Sequence, residues 1–319
     1  MAKFLKNISA FMLIGVFLFI IITFLYSKYD DTYTFKYLAA PNISNNLSFN
    51  DKLRFASQKE SECLSIGSSI TLNNLHSQTV IDRLQPRSYL NLASWGLTTK
   101  ITFILFKIYS EMHNPKTVIV MSNIVDYQTS MLDFNSSDTE NYLKNKNSFL
   151  FHIKHFELKY YLKNFAFYEK VKNTRKVYSS LDYDDYGGVN FDNEFQINEK
   201  RWNNLFSHIE IDTLNYIYLD SLCRYAKNHD IELIYLQSPF RKGLLDSINS
   251  PLLEKHTKLI DTIITKNNQI FIDGNKQVWN DTLFTDAIHF NLSGAKKFTE
   301  FCMNELLLNR QNKKYNIDY

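Results

Sequence analysis

The ten residues CLSIGSSITL, at positions 63–72, set the first strand and the first turn of the chain. Cys63–Ile66 is short and apolar enough to be a buried strand, and Gly67 directly after it permits a tight bend. Such a bend exposes the next side chains at the carboxyl edge of an open α/β sheet, where ligands bind. Ser68 and Ser69 are therefore well placed for chemistry, although a glycine and two serines after a strand also suit an ordinary turn.

Further short apolar runs have the character of buried strands. They lie at Tyr89–Leu92, Thr117–Met121, Ile231–Gln237 and Gln269–Ile272. Longer amphipathic stretches separate them, which is the pattern of βα units around a mostly parallel sheet. We therefore expect an α/β domain over residues 59–308, with three flavodoxin-like layers.

Two helices are clearest in this pattern. Thr99–His113 has apolar side chains at helical spacing, and Asn291 can serve as the N-cap of the last helix. The apolar face of that last helix consists of Ala295, Phe298, Cys302 and Leu306. The segment 124–215, rich in Tyr, Phe, Lys and Asn, is expected to insert helices and a loop over the sheet. The polar tail 309–319 is expected to fray.

An uncharged stretch of 19 residues, Ile8–Tyr26, stands near the N-terminus. As a helix it spans roughly 28 Å, close to the hydrocarbon thickness of about 30 Å of a bilayer. A cleaved signal peptide has a shorter apolar core followed by small residues, and all-round hydrophobicity at the extreme N-terminus favours a membrane span over a buried core helix. We therefore expect an uncleaved signal anchor that contacts the bilayer through this stretch.

The charges that flank this stretch predict its orientation. Lys3 and Lys6 precede it, whereas two aspartates follow Lys28 on its far side. This positive-inside bias favours a cytoplasmic segment 1–7 and an extracytoplasmic remainder. Residues 27–58 show no sustained periodicity, so we expect a linker there.

Composition excludes several functions. Lys and Arg total 36 against 33 Asp and Glu, so the net charge of +3 gives no reason to expect a nucleic acid as partner. The three cysteines lie far apart without a CxxC spacing, which signals neither a disulfide framework nor a thiolate zinc site. We expect no metal and no cofactor.

A second chemical motif, FTDAIHFN at residues 284–291, precedes the last helix. A serine hydroxyl is a poor nucleophile until a base removes its proton, and histidine is the usual base. A carboxylate must hold the imidazole in the correct tautomer. Asp286 and His289 can supply both functions for Ser69, although a surface aspartate and a helix-capping histidine would have the same spacing.

Together, the two ends of the domain resemble the SGNH (GDSL-like) hydrolase superfamily. In that family the nucleophilic serine follows the first strand, and an Asp-x-x-His precedes the last helix. The resemblance implies that Ser69, Asp286 and His289 are the catalytic residues. It also implies that the oxyanion is held by the backbone N–H groups of Ser69 and Gly96, from the block NLASWG, and by the side-chain amide of Asn123, from VIVMSN.

This sequence departs from the family pattern in two blocks. Ser68 replaces the aspartate of the usual Gly-Asp-Ser, and Met121 stands where a glycine is usual. In its Gly-Ser-Ser block and its N-terminal anchor, the chain resembles the membrane-anchored branch of the family that acts on cell-surface polymers. This branch includes the D-alanyl transfer protein of lipoteichoic acid synthesis and SGNH domains of polysaccharide O-acetylation.

The resemblance implies a single-pass protein of the bacterial inner membrane with an extracytoplasmic or periplasmic catalytic domain. It would transfer an acyl group to or from a cell-surface glycan or polymer. Acyl-CoA is cytosolic, so a transferase would need a multi-span partner such as a membrane-bound O-acyltransferase. A surface esterase or deacetylase and a non-catalytic SGNH-fold scaffold of the envelope remain the alternatives.

Other polar motifs are weaker. His152 and His155 are spaced HxxH but have no carboxylate pattern nearby, so we interpret them as helix-surface or core residues rather than metal ligands. Asp182–Gly188 lacks the spacing of a calcium loop, so we interpret this segment as a flexible loop. Gln237-Ser238-Pro239 closes the fourth strand and is expected to line the pocket. The sequon at Asn291 lies beside His289, so we interpret that asparagine as a helix cap rather than a glycan acceptor.

Overall fold

The structure is a computed structural model of the chain. It describes residues 1–29, 43–56, 59–129, 132–145, 170–194, 210–245 and 250–315, with the single positions Lys159, Lys163, Ala166, Phe167 and Trp202.

A five-stranded parallel sheet forms the centre of the domain. Its strands are β1 (Cys63–Ser65), β2 (Tyr89–Asn91), β3 (Thr117–Ser122), β4 (Glu232–Gln237) and β5 (Ile270–Asp273). They are ordered β2-β1-β3-β4-β5, and every neighbouring pair is parallel. All the predicted strands are present within a residue or two of their expected bounds, which confirms the α/β prediction. Because the strands are parallel, all their carboxyl ends lie at one edge, where the site is built.

Helices cover both faces of the sheet. The described helices are α1 (Ala2–Tyr29), α2 (Leu47–Ala56), α3 (Ser69–Asn74), α4 (Ser77–Leu84), α5 (Thr99–His113), α6 (Ser136–Asn145), α7 (Leu214–Asn228), α8 (Lys242–Leu245), α9 (Ser250–Lys266) and α10 (Leu292–Tyr315). Alternate side chains of β3 point to opposite faces: Val118 and Val120 pack with α5, α7 and α9, and Ile119 and Met121 pack with α3, α4 and α10. The three-layer prediction is therefore confirmed.

The second half of the predicted linker is packed against the domain. Residues 47–56 form α2, and Phe49 and Leu53 are fully buried in the main core. The polar residues Asn50 and Lys52 are buried as well. This segment lacks a clear apolar period because hydrogen bonds, rather than an apolar stripe, attach much of it.

The last helix continues past the point where fraying was expected. α10 runs to Tyr315, seven residues beyond the expected end of the domain at residue 308. Arg310 forms an ion pair with Glu232 at the start of β4, which holds this extension against the sheet. Asn291 is the N-cap, as predicted, because its Oδ1 accepts the N–H of Gly294 at 2.9 Å.

Among the described residues, α1 is the helix that is long and apolar enough to cross a membrane. Its apolar window is Lys3–Ile21, with a mean hydropathy of 2.2. Its large apolar side chains, such as Phe11, Met12 and Leu13, are exposed rather than packed in a core. A buried soluble helix does not have this pattern.

Parts of the predicted insertion 124–215 are described. A 3₁₀ turn covers Ile124–Tyr127, α6 follows, and residues 171–191 contribute buried side chains to a small cluster under α2. His152 and His155 lie outside the described residues.

Candidate active site

The structure brings Ser69, His289 and Asp286 into one hydrogen-bonded chain. Ser69 Oγ lies 2.9 Å from His289 Nε2, although the two residues are 220 positions apart. His289 Nδ1 lies 2.8 Å from Asp286 Oδ2 on its other side. Both His289 and Asp286 are buried. This is the arrangement of a nucleophile, a base and an orienting carboxylate.

Asp286 is held in its ionised form. Burial raises the pKa of Asp286, but the neighbouring His289 and the backbone N–H groups of Ile288 and His289 outweigh it, so the net shift is downward. Those two N–H groups donate to Oδ1 at 2.9 and 2.8 Å, which leaves Oδ2 for the imidazole. Nδ1 of His289 therefore carries the proton, and Nε2 is free to accept one from Ser69.

The turn after β1 places Ser69. A Cβ on Gly67, whose φ is +154°, would lie 2.3 Å from Thr71 Oγ1, so the tight turn requires glycine. Thr71 Oγ1 in turn donates to the carbonyl of Met121 at 2.6 Å and accepts its N–H at 3.0 Å, which ties α3 to β3. Ser68 caps α3 by accepting the N–H of Ile70, so Ser69 is its first helical residue.

Asn74, which the sequence did not single out, positions His289 from both sides. Its Nδ2 donates to the carbonyl of Ile288 at 2.8 Å, and its Oδ1 accepts the N–H of Phe290 at 2.8 Å. The same Nδ2 lies 3.1 Å from Ser238 Oγ. The helix that begins with the serine thus also holds the histidine loop. An asparagine five residues after a candidate nucleophile gave no signal of this role.

Asn123 has a side-chain amide whose Nδ2 is unpaired among the described residues. Its Oδ1 accepts the N–H of Val125 at 3.0 Å, which fixes the orientation of the amide group. Its buried Nδ2 has no hydrogen-bond partner in the described part of the chain. A buried donor left unpaired is costly, and sites that stabilise a transient charge keep such donors ready. Its position directly after β3, next to β1, suits the predicted role.

Gly96 and Ser69 are the other predicted donors. Gly96 has a φ of +78°, a conformation that favours glycine and sets the direction of its N–H. The N–H of Ser69 lies in the first turn of α3, where a backbone N–H has no partner within the helix.

Aromatic rings surround the imidazole. The ring centroids of Trp95, Tyr178 and Phe191 lie 5.5, 6.1 and 6.1 Å from that of His289. Trp95 also lines a cavity of about 690 Å³ with Gly96 and Tyr178. The remaining lining residues are 45–48, 132, 163, 167, 179 and 181, so the start of α2, the residues before it and the insertion build its walls. These segments have no counterpart in the motifs, and the sequence did not predict the cavity.

A further carboxylate lies next to Ser68, the residue before the proposed nucleophile. Burial raises the pKa of Asp126 to about 6, against the opposing effect of the Ser68 and Ser122 hydroxyls and the N–H of Asn123. Since Ser68 Oγ accepts the N–H of Ile70 at 3.0 Å, its hydroxyl hydrogen is available to Asp126. A carboxyl group from another part of the chain thus faces the position where the family motif has its aspartate.

The weaker motifs have structural roles. Gln237 and Ser238 are fully buried and do not line the cavity described above. In the loop Asp182–Gly188, Asp184 Oδ1 accepts the N–H groups of Tyr186 and Gly188, so the loop is closed on itself. Within the described ranges, no group of three His, Cys, Asp or Glu side chains is arranged to hold a metal ion.

No family model matches the chain, and no curated protein matches it in sequence. The comparison with solved structures does find matches. The chain is similar to GDSL-type proteins of known structure. A GDSL-like lipase from Bacteroides thetaiotaomicron is 10% identical, with 78% of this chain and 88% of that chain covered and a TM-score of 0.37.

A G-D-S-L family protein from Desulfitobacterium hafniense is 12% identical, with 76% and 97% covered and a TM-score of 0.38. An alpha/beta hydrolase from the metagenome of Lake Arreo is 12% identical, with 76% and 92% covered and a TM-score of 0.41. At these identities and TM-scores the likeness carries no argument about the chemistry, which rests on the geometry of the site itself.

Proposed function

We propose that this chain is a membrane-anchored serine enzyme that acts on acyl esters. The observation that carries the proposal is the unbroken hydrogen-bond chain from Ser69 Oγ through His289 to Asp286, with distances of 2.9 and 2.8 Å. A non-catalytic scaffold has no need to bury an ionised carboxylate and an imidazole in this order. The geometry therefore favours an enzyme over a binding protein of the same fold.

In the proposed reaction, Ser69 Oγ attacks the carbonyl carbon of an ester while its proton passes to His289 Nε2. The tetrahedral intermediate collapses when the C–O bond to the leaving alcohol breaks and His289 gives that alcohol the proton. The acyl group is then bound to Ser69. A water molecule or a sugar hydroxyl attacks the acyl carbon and loses its proton to His289. The bond between that carbon and Ser69 Oγ then breaks, and His289 gives the proton to Ser69, which restores the free serine.

The negative oxygen of each tetrahedral intermediate would be held by the N–H groups of Ser69 and Gly96 and by the amide of Asn123. The unpaired Nδ2 of Asn123 supports this role, because it is oriented by its own Oδ1 and has no other acceptor among the described residues. Asp286 stays ionised, stabilises the imidazolium that forms, and prevents the imidazole from turning.

For the substrate we propose an ester on a cell-surface glycan or polymer. The cavity is lined by Trp95 and Tyr178, whose rings both lie close to that of His289, and by the amide groups of Asn45 and Asn46, a lining that suits a sugar ring. The apolar helix α1 would place the domain at the membrane surface. Since 13 residues separate α1 from residue 43, the domain can lie no more than roughly 50 Å from the end of that helix.

We further propose that the enzyme transfers acyl groups and lies in the bacterial inner membrane with its N-terminus in the cytoplasm. A transferase outside the cytoplasm needs an acyl donor on its own side, which a membrane-bound O-acyltransferase partner would supply. Hydrolysis by a surface esterase needs no such partner. The two activities share every step up to the acyl-enzyme, so they differ in the acceptor alone.

The test uses the full chain in detergent micelles with a chromogenic acetate ester. We expect turnover by the wild type and none above background by Ser69→Ala, and a fluorophosphonate probe should label the wild type at Ser69. Equal rates for the two proteins would overturn the proposal. Adding a glycan acceptor then separates the activities, because a transferase alone yields an acylated sugar detectable by mass spectrometry.

A further inference from the structure

Asn46, which lies in the predicted linker, contacts the loop that carries Gly96. Its Nδ2 donates to the carbonyl oxygen of Trp95 at 3.0 Å. A Cβ built on Gly96 would lie 4.0 Å from the same nitrogen, so Asn46 is next to the glycine itself. Neither contact involves a group of the hydrogen-bonded chain from Ser69 to Asp286.

The contact matters because of the geometry of one peptide bond. The carbonyl of Trp95 and the N–H of Gly96 belong to the same planar, trans peptide unit, so they point in opposite directions. A hydrogen bond that fixes the carbonyl therefore fixes the direction of the N–H as well. It also polarises the peptide, which makes that N–H a stronger donor.

Asn46 is itself rigidly held. It is the N-cap of α2, because its Oδ1 accepts the N–H of Phe49 at 3.2 Å and its own N–H donates to Ser44 Oγ at 2.9 Å. With Oδ1 committed to the helix, Nδ2 faces away from it and toward Trp95. The cap and the contact with the loop thus use opposite ends of one amide.

Two further contacts join α2 to the same loop. Lys52 Nζ donates to the carbonyl of Asn91 at 2.9 Å, and Ser94 Oγ lies 3.4 Å from Ser48 Oγ. Together with the bond from Asn46, these contacts run from Asn91, the last residue of β2, through Ser94 to Trp95, the residue before Gly96. A helix that only packed on the domain would not need to contact this loop at three separate positions.

We infer that Asn46 is a positioning residue that aims the N–H of Gly96 at the oxyanion, and that α2 is thereby part of the active site. This inference rests on the proposed function for its effect on rate. The contact itself can be measured without any activity.

The decisive variant is Asn46→Asp in the full chain. Aspartate is as good an N-cap as asparagine, so α2 keeps its cap, but the donor to Trp95 is replaced by an acceptor that repels the carbonyl. We expect kcat for the chromogenic ester to fall at least tenfold with KM nearly unchanged, and the melting temperature to stay close to that of the wild type. Asn46→Ala, which also loses the cap, should lower both kcat and the melting temperature.

Asn267→Asp is the matched control. Asn267 also donates from Nδ2 to a backbone carbonyl, that of Ile263 at 2.8 Å, but it lies between α7 and α9, away from the site. We expect this variant to lose stability because its new carboxylate adjoins Asp220, and to keep its kcat. If Asn46→Asp behaves like this control, with kcat unchanged, Asn46 is only a helix cap and the inference is wrong.

A spectroscopic measurement separates this outcome from a failure of the proposed function. Trp95-Gly96 is the sole Trp–Gly pair in the sequence, so labelling Trp with carbonyl ¹³C and Gly with ¹⁵N gives one correlation signal from their peptide bond. We expect this signal to shift in Asn46→Asp and to stay in place in Asn267→Asp. An unshifted signal would overturn the inference even if the enzyme is active. A shifted signal would confirm the contact between Asn46 and this peptide bond even if the wild type hydrolyses the ester no faster than Ser69→Ala.

Discussion

Replacing Asp286 with asparagine should disable the base while leaving the fold in place. In the wild type, Oδ1 accepts the two backbone N–H groups of Ile288 and His289, and Oδ2 accepts Nδ1–H of His289. An asparagine has one oxygen and one NH₂ group for these three donors. Two backbone donors outweigh one imidazole, so the amide oxygen will face the backbone and the NH₂ group will face His289.

This orientation forces the wrong tautomer. Facing a donor, Nδ1 of His289 must become the acceptor, so the proton moves to Nε2, which then cannot accept one from Ser69. In serine proteases the same exchange lowers kcat by about 10⁴-fold, which corresponds to roughly 5 kcal/mol of activation free energy. We expect a loss of this order for Asp286→Asn, with a small change in KM.

The assay is the steady-state hydrolysis of the chromogenic ester by the full chain, with the melting temperature measured on the same samples. Asp281→Asn serves as the control, since Asp281 forms an ion pair with Arg241 at 2.7 Å and has no contact with the hydrogen-bonded chain of the site. It should keep its kcat. A kcat for Asp286→Asn within tenfold of the wild type would refute the tautomer argument.

The contacts of Asn123, Asn74 and Asp126 give three further predictions. Asn123→Ala should lower kcat by about 10²–10³-fold because it removes the unpaired Nδ2 donor; it also removes the acceptor of the Val125 N–H, which should cost about 1 kcal/mol and lower the melting temperature by a few degrees, and an unchanged kcat would remove Asn123 from the oxyanion site. Asn74→Ala leaves the carbonyl of Ile288 and the N–H of Phe290 unpaired, so it should destabilise the fold by about 2–5 kcal/mol in denaturant unfolding, and a loss below 1 kcal/mol would contradict this accounting. The pKa of Asp126 is raised to about 6 from an unfolded value near 3.8, so its contribution to stability is complete below pH 4 and is lost as the pH rises through 6. Relative to Asp126→Asn, the wild type should therefore lose up to about 3 kcal/mol of unfolding free energy between pH 4 and pH 7, and parallel pH profiles would disprove the shift.

The sheet could be predicted from sequence because β1 to β4 are buried on both faces and β5 is half-buried on one of them. β3 and β4 place apolar side chains alternately against both helical layers, so they are near-continuous apolar runs bounded by polar turns. Parallel strands then bring their carboxyl ends to one edge without further information. The contact between Ser69 and His289 follows from this topology. Ser69 is the first residue of α3, just after β1, and His289 precedes α10, which packs against α3.

The residues that hold the site in place could not be predicted in this way. Asn74 acts through two backbone groups that are more than 200 positions away, and its sequence neighbours carry no trace of them. The same holds for Asn46, whose partner Trp95 lies 49 residues further along. Side-chain bonds to distant backbone groups have no periodicity, so hydropathy patterns do not report them.

The packing of the second half of the predicted linker has a physical reason that bears on function. Residues 43–56 contain three Asn, two Ser, one Asp, one Lys and one Arg, a composition typical of exposed chain, yet many of these side chains are buried. Buried polar groups are costly unless they are hydrogen-bonded, so a polar segment in this position is stable only where partners lie within hydrogen-bonding distance. Asn46 and Lys52 find those partners on the loop that ends at Gly96. A segment attached by such directional bonds fixes the direction of a peptide group, which an apolar helix packed on the same surface would leave undetermined.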